Sequence, residues 1–136
     1  MQESFRFHHI GIAVKSMDKT AREYERVGYD RTETTFDAMR HVNICFLTKE
    51  GMPTIELIEP VDENAPVGTV LGKNGAVIYH TCYAVEDIVS VIEKLREQRY
   101  VQVEEVAEAP AMHGCKICFL FHKDVGLIEL VEEQGY

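Results

Sequence analysis

The chain repeats itself once. FHHIGIAVKSMDKTAREYERVGYDRTE at residues 7–33 is matched by IYHTCYAVEDIVSVIEKLREQRYVQVE at residues 78–104. An internal repeat of this kind points to one supersecondary unit used twice. Each copy opens with a strand-like run of β-branched and apolar residues. A helical period follows, with Met17, Ala21, Tyr24 and Val27 in the first copy and Ile88, Val91, Ile92 and Leu95 in the second. Ser16 and Asp87 (or Glu86) suit the N-cap positions. Three more strand-like runs come after each helix. They are YDRTETTF, HVNICFL and PTIELIEP in the first copy, and YVQVEEVAE, CKICFLFH and GLIELVEE in the second. Gly51, Pro53, Pro110, Gly114 and Gly126 mark the turns between them. The expected fold is α+β: two tandem βαβββ modules, residues 5–60 and 76–133. The connector, residues 61–75, carries one or two helical turns over residues 65–71, and the whole forms one domain over residues 1–136.

Size permits this without staples, since a chain of 136 residues buries roughly two-thirds of its unfolded surface. A net charge of −9 repels nucleic-acid phosphates and anionic membrane surfaces. No apolar run is long enough to span a bilayer, and MQESFRF lacks the basic and apolar regions of a secretion signal, so a cytoplasmic protein is expected. Cys115 and Cys118 form a C-x-x-C inside a strand-like run. Residues three apart on a strand point to opposite faces, and no second C-x-x-C completes a four-sulfur site. With Cys45 and Cys82 they read as buried thiols.

The chemistry lies in the polar residues that interrupt the repeated strands. Alternation puts His8 with Ile10, Ile12 and Val14 on the face that packs the helix, where it reads as structural. His9 falls on the other face, beside small Gly11 and Ala13. His80 has the same setting, followed on its face by Cys82 and Ala84. The last strands, IELIEP and IELVEE, add Glu56 and Glu129 at matching positions. A carboxylate inside an apolar strand is costly to bury unless paired. Two imidazoles and two carboxylates compensate one another around a divalent cation, of which Mn, Fe, Co, Ni and Zn suit such donors. His41, His113 and His122 fall at strand ends or in loops and read as surface residues.

HHIGIAVKSMD, IELIEPVDENAPV, IYHTCYAVEDI, HGCKICFLFHKD and GLIELVEE resemble the vicinal oxygen chelate superfamily, and within it most resemble methylmalonyl-CoA epimerases. The resemblance runs from about residue 6 to residue 133. It implies two βαβββ modules whose sheets curl around a metal cleft, a ligand set of His9, Glu56, His80 and Glu129, and a homodimer. It implies an acyl-CoA substrate whose enolate is stabilised by the ion while bases move the α-proton. It departs at one position. Epimerases resemble one another in a Glu on the third strand of the first module, where HVNICFL aligns Asn43. An amide is no base at neutral pH. Three alternatives follow. Glu129 or His113 transfers the proton; Asn43 donates to an oxyanion in another reaction; or the protein binds a ligand without turning it over. The final loop, HKDVGLIEL, is also shorter than the epimerase form.

The leading expectation is thus a metal-dependent isomerase or lyase on an acyl-CoA. The alternatives are a glyoxalase I-like lactoylglutathione lyase and a non-catalytic metabolite- or drug-binding module. The loops that lyases share are not found here. Extradiol dioxygenases need only two His and one Glu, so Glu56 as fourth ligand opposes that chemistry. Drug-binding relatives commonly lack the quartet. Arg40, Lys49, Lys73, Lys116 and Lys123 are candidate phosphate contacts for a CoA, although each suits a solvated surface equally well.

Overall fold

The structure, a computed structural model, describes residues 5–71 and 75–134. They divide into two compact units, the boundaries falling between His8 and His9 and between Tyr79 and His80. These boundaries lie inside two strands rather than in the connector.

In the unit containing residues 9–79, β1 (Arg6–Ala13) leads to helix α1 (Met17–Glu25), then to β2 (Asp30–Arg31), β3 (Thr35–Asp37), β4 (Val42–Thr48) and β5 (Ile55–Pro60), and to a single helical turn α2 (Gly68–Leu71). The sheet order is β2-β4-β5-β1, with β3 also on β4. β4 and β5 run antiparallel, whereas β5 and β1 are parallel. The apolar alternation builds the core: Ile12, Val14, Cys45, Leu47, Ile55 and Leu57 form one buried cluster with Met17 and Ala21 of α1. Val27 does not join them. It lies beyond the end of the helix and is exposed.

The other unit repeats the plan. β6 (Val77–Val85) precedes helix α3 (Ile88–Glu97), β7 (Val101–Gln102), β8 (Ala107–Ala109), β9 (Cys115–His122) and β10 (Gly126–Glu132). The order is β6-β10-β9-β7, with β8 also on β9. Ile88, Val91, Ile92 and Leu95 of α3 pack on Val85, Cys118, Leu120, Ile128 and Leu130. No helix among the described residues is long and apolar enough to cross a membrane.

One expectation needs correction. The run after each helix is two short strands, not one. At the break in the first copy, Thr32 Oγ1 accepts from the Phe46 N–H at 2.9 Å. A side chain there takes a backbone donor, as Thr hydroxyls readily do. In the second copy Gln102 turns its amide onto the Glu104 carbonyl at 3.0 Å. The helix starts are as expected. Ser16 and Asp87 do cap α1 and α3, accepting from Lys19 N and Ser90 N. Each helix also has a carboxylate that sequence inspection missed. Glu59 Oε2 accepts from Met17 N at 2.8 Å, and Glu132 Oε2 from Ile88 N at 3.0 Å. An N-terminal turn leaves such donors without intrahelical partners and favours negative charge beside them.

Candidate metal-ligand pairs

The repeated strand ends read Glu56-Leu-Ile-Glu59 and Glu129-Leu-Val-Glu132. On a strand, residues three apart face opposite ways. The later glutamate of each motif therefore reaches the helix, and the earlier one faces away from it.

In the first unit Glu56 is held opposite Gly11 by the β1–β5 register. His9 is two residues before Gly11 and shares its face, so imidazole and carboxylate meet diagonally across the strand pair. His9 Nε2 lies 3.2 Å from Glu56 Oε1. In the second unit Glu129 is opposite Cys82, and His80 Nε2 lies 3.0 Å from Glu129 Oε1. All four residues are buried, His9 completely and Glu129 at 2% exposure. A buried carboxylate needs such a partner, because desolvation disfavours its charged form.

An aromatic ring completes each pair. Phe46 stands directly opposite Glu56 and meets the His9 ring edge-on, centroids 5.5 Å apart. Phe119 stands opposite Glu129 and meets His80 in the same way at 5.0 Å. Each ring stands on the far side of the glutamate's strand and meets the imidazole across it. Sequence reasoning passed over them, although the signal was present: the tripeptide Ile-Cys-Phe occurs at residues 44–46 and again at 117–119.

The remaining candidates lie elsewhere. Asn43 is on the helix-facing side of β4 with Cys45 and Leu47, not on the side of Phe46. Its Nδ2 donates to Glu59 Oε1 at 3.2 Å. It steadies the carboxylate that caps α1 and does not aim at the His9–Glu56 pair. Strand parity is the reason: the β4 residues that share the face of Phe46 are Val42, Ile44 and Thr48. His113 ends the turn at Pro110–Met112 with φ of 56° and is exposed. The stretch from Cys115 to Phe119 separates it from Glu129, roughly 13 Å at strand spacing. It is not brought to the pair. His8 joins Glu133, 3.3 Å away; His41 joins Asp62 at 3.4 Å; His122 stacks against Tyr100.

Of the candidate phosphate contacts, Arg40 is bound to buried Asp37. Lys49 donates to the Val27 carbonyl and lies over the Tyr29 ring. Lys116 and Lys123 are exposed, and Lys73 lies outside the described residues. Cys118 points to the α3 side and Cys115 to the other, while Cys45 sits in the α1 core, where burial pushes its thiol above the usual value and Arg31 only partly opposes the shift.

The chain belongs to the glyoxalase/bleomycin resistance protein/dioxygenase superfamily, whose family model matches residues 8–119. Among curated relatives, it is 32% identical over 129 residues to ethylmalonyl-CoA/methylmalonyl-CoA epimerase of Cereibacter sphaeroides, covering 92% of this chain and 96% of that protein. Among solved structures, it matches methylmalonyl-CoA epimerase of Mycobacterium tuberculosis with a TM-score of 0.82 and 27% identity, over 96% of this chain and 89% of that one. A methylmalonyl-CoA epimerase in complex with methylmalonyl-CoA and NH4+ matches with a TM-score of 0.81 and 28% identity, over 97% and 96% of the two chains.

Proposed function

We propose that the protein is a metal-dependent isomerase that epimerises a 2-substituted malonyl-CoA, with His9, Glu56, His80 and Glu129 as the ligands of one divalent ion. The observation that carries this reading is the duplicated His–Glu pair, buried and aligned at equivalent strand positions. Donor geometry supports it. Two donors about 2.1 Å from one ion and about 90° apart sit about 3.0 Å from each other, which is the separation inside each pair. Imidazole and carboxylate donors suit Mn, Fe, Co, Ni or Zn. Likeness to named epimerases along nearly their whole length supports the substrate class.

When bound, the ion supplies Lewis-acid stabilisation of negative charge on the thioester oxygen. The chain's residues do the rest. Phe46 and Phe119 meet the imidazoles edge-on and hold their orientation. Burial of both pairs places the acidic α-carbon in a low-dielectric setting, where electrostatic stabilisation is strongest. That face of β4 carries Val42, Ile44, Phe46 and Thr48 and no titratable group. We assign removal of the α-proton to Glu129, and inversion requires a second group on the opposite face of the α-carbon to return a proton.

The test is proton exchange. Methylmalonyl-CoA and ethylmalonyl-CoA are incubated in D2O with enzyme and each metal, and deuterium at C2 is followed by NMR. Incorporation faster than the uncatalysed background is expected. Background-level exchange with every metal would reject the epimerase reading.

A second reading is favoured by Ile44. With no ionisable group on that face of β4, the same cleft chemistry serves a protein that binds an acyl thioester without turning it over. Metal-dependent binding of methylmalonyl-CoA without exchange would establish it.

A further inference from the structure

The two halves agree at the His–Glu–Phe triad and disagree at their outer strands. β2 pairs Asp30 with Thr48, and its counterpart β7 pairs Val101 with Phe121. One step inward, Thr32 N donates to the Phe46 carbonyl, while Val103 N donates to that of Phe119. One face of the outer strand thus carries Asp30 and Thr32 in the first copy, and Val101 and Val103 in the second. The two valines and Phe121 are open to solvent, at 60%, 52% and 43% exposure. Exposed apolar side chains in one strip mark a surface that meets something.

The backbone of β7 invites a partner as well. β7 is the last strand in the order of its half. Val103 turns its N–H to β9, and Val101 stands opposite Phe121 on the same strand. By antiparallel alternation, Gln102 between them turns its own N–H and C=O outward. Such an edge is a template for another strand, and proteins usually blunt it with charge. Here the charges stand outside the valines and are sorted by sign. Arg96 and Arg99 precede the strand, and Glu104 and Glu105 follow it. An open groove of about 650 Å³ runs along the edge, from Arg96 and Tyr100 at the α3 end to Glu104 and Glu105.

We propose that this edge docks a second copy of the chain, the two β7 strands pairing antiparallel about a twofold axis at Gln102. Charge complementarity selects that occupant. Antiparallel pairing brings the basic end of each strand, Arg96 and Arg99, to the acidic end of the other, Glu104 and Glu105. The same charges would repel if the strands ran parallel. At the centre, the two Gln102 backbones exchange N–H···O bonds, and each Val101 lies against the partner's Val103, a favourable cross-strand pair. The surface is self-complementary, as a twofold interface requires. The first half cannot copy it. Pairing β2 with itself would set Asp30 against Thr32, with no apolar contact to offset the desolvated charge. Each chain therefore has one adhesive edge, and assembly closes at two instead of growing. The strip is small, so the dimer forms and dissociates in the micromolar range and is not obligate.

The experiment is sedimentation velocity of the full chain across the micromolar range, for wild type and three variants. Val101→Asp copies the residue of the first half. Arg96→Glu/Arg99→Glu and Glu104→Lys/Glu105→Lys each make the two ends alike in charge. Thermal melts check folding, and Val101→Thr replaces Val101→Asp if the latter melts early. Wild type should shift from monomer to dimer as concentration rises. Each variant alone should dimerise about tenfold or more weakly, since every substitution enters twice across the twofold axis. An equimolar mixture of the two charge variants should recover to within about threefold of wild type, because opposite signs then meet at both ends. Added salt should weaken that mixed dimer. Wild type that stays monomeric throughout overturns the proposal. So does a dimer that all three variants leave intact, which places the interface elsewhere, and so does a mixture that associates no better than its parts.

Discussion

At the scale of single residues, parity along a strand decides chemistry. Asn43 and Ile44 are neighbours in sequence, yet Asn43 serves the α1 cap and Ile44 shares the face of Phe46 and Glu56. Opposite outcomes are expected from placing a carboxylate at each. Asn43→Glu sets like charges opposite each other at Glu59, so it should cost about 1 kcal/mol in urea unfolding and add nothing to deuterium exchange. Ile44→Glu puts a base on the productive face and should raise exchange above the wild-type rate, if the fold tolerates the charge. An equal gain from Asn43→Glu would show that the parity argument fails. Glu129→Ala should weaken metal binding by at least about 100-fold, read as metal content after dialysis and as lost exchange. A full metal complement in that variant would remove Glu129 from the ligand set. Cys45 gives a pH prediction. Its folded thiol is held above the ordinary value of 9.0, chiefly by burial. The unfolded thiol ionises first, so stability from this group is complete below about pH 9 and is lost as pH rises through the folded value. Urea midpoints should fall over that alkaline window in wild type and fall less in Cys45→Ala.

At the scale of elements, the repeated E-x-x-E strand does two jobs. One glutamate turns to the imidazole and the other holds the N-terminus of the preceding helix. Such a strand ties helix placement to the position of the buried pair. Glu59→Gln and Glu132→Gln should each cost about 1 kcal/mol, as lost helix caps do, and should leave metal content intact. A Glu59→Gln, Asn43→Ala double-mutant cycle should show coupling of about 0.5 kcal/mol or more. Strict additivity would mean that the amide does not support the cap. The motif was visible in the sequence, but only its first glutamate was understood. The second has its partner 42 residues away in one copy and 44 in the other, and nothing local announces such a contact.

At the scale of the whole molecule, the proposal ties both halves to a single ion. Titration with Co or Ni should therefore saturate at one equivalent per chain, and loss of either histidine should abolish it. Two independent equivalents would separate the pairs. Ligand binding to the folded state alone adds about 2.7 kcal/mol at a hundredfold excess over Kd, so chelation should lower Tm by several degrees. The homodimer remains a proposal, to be checked by sedimentation at micromolar concentration.

By itself the sequence determined the duplicated βαβββ plan, the helix-facing apolar rows and the four buried His and Glu positions. All of these follow from periodicity, which the backbone imposes locally through the alternation of side chains on a strand and the turn of a helix. Only the tertiary structure decided which face Asn43 serves, that Glu59 and Glu132 cap helices, that Phe46 and Phe119 brace the imidazoles, and that one sheet edge is apolar where its twin is polar. Each of these depends on strand register, and register is set by packing between segments far apart in the chain.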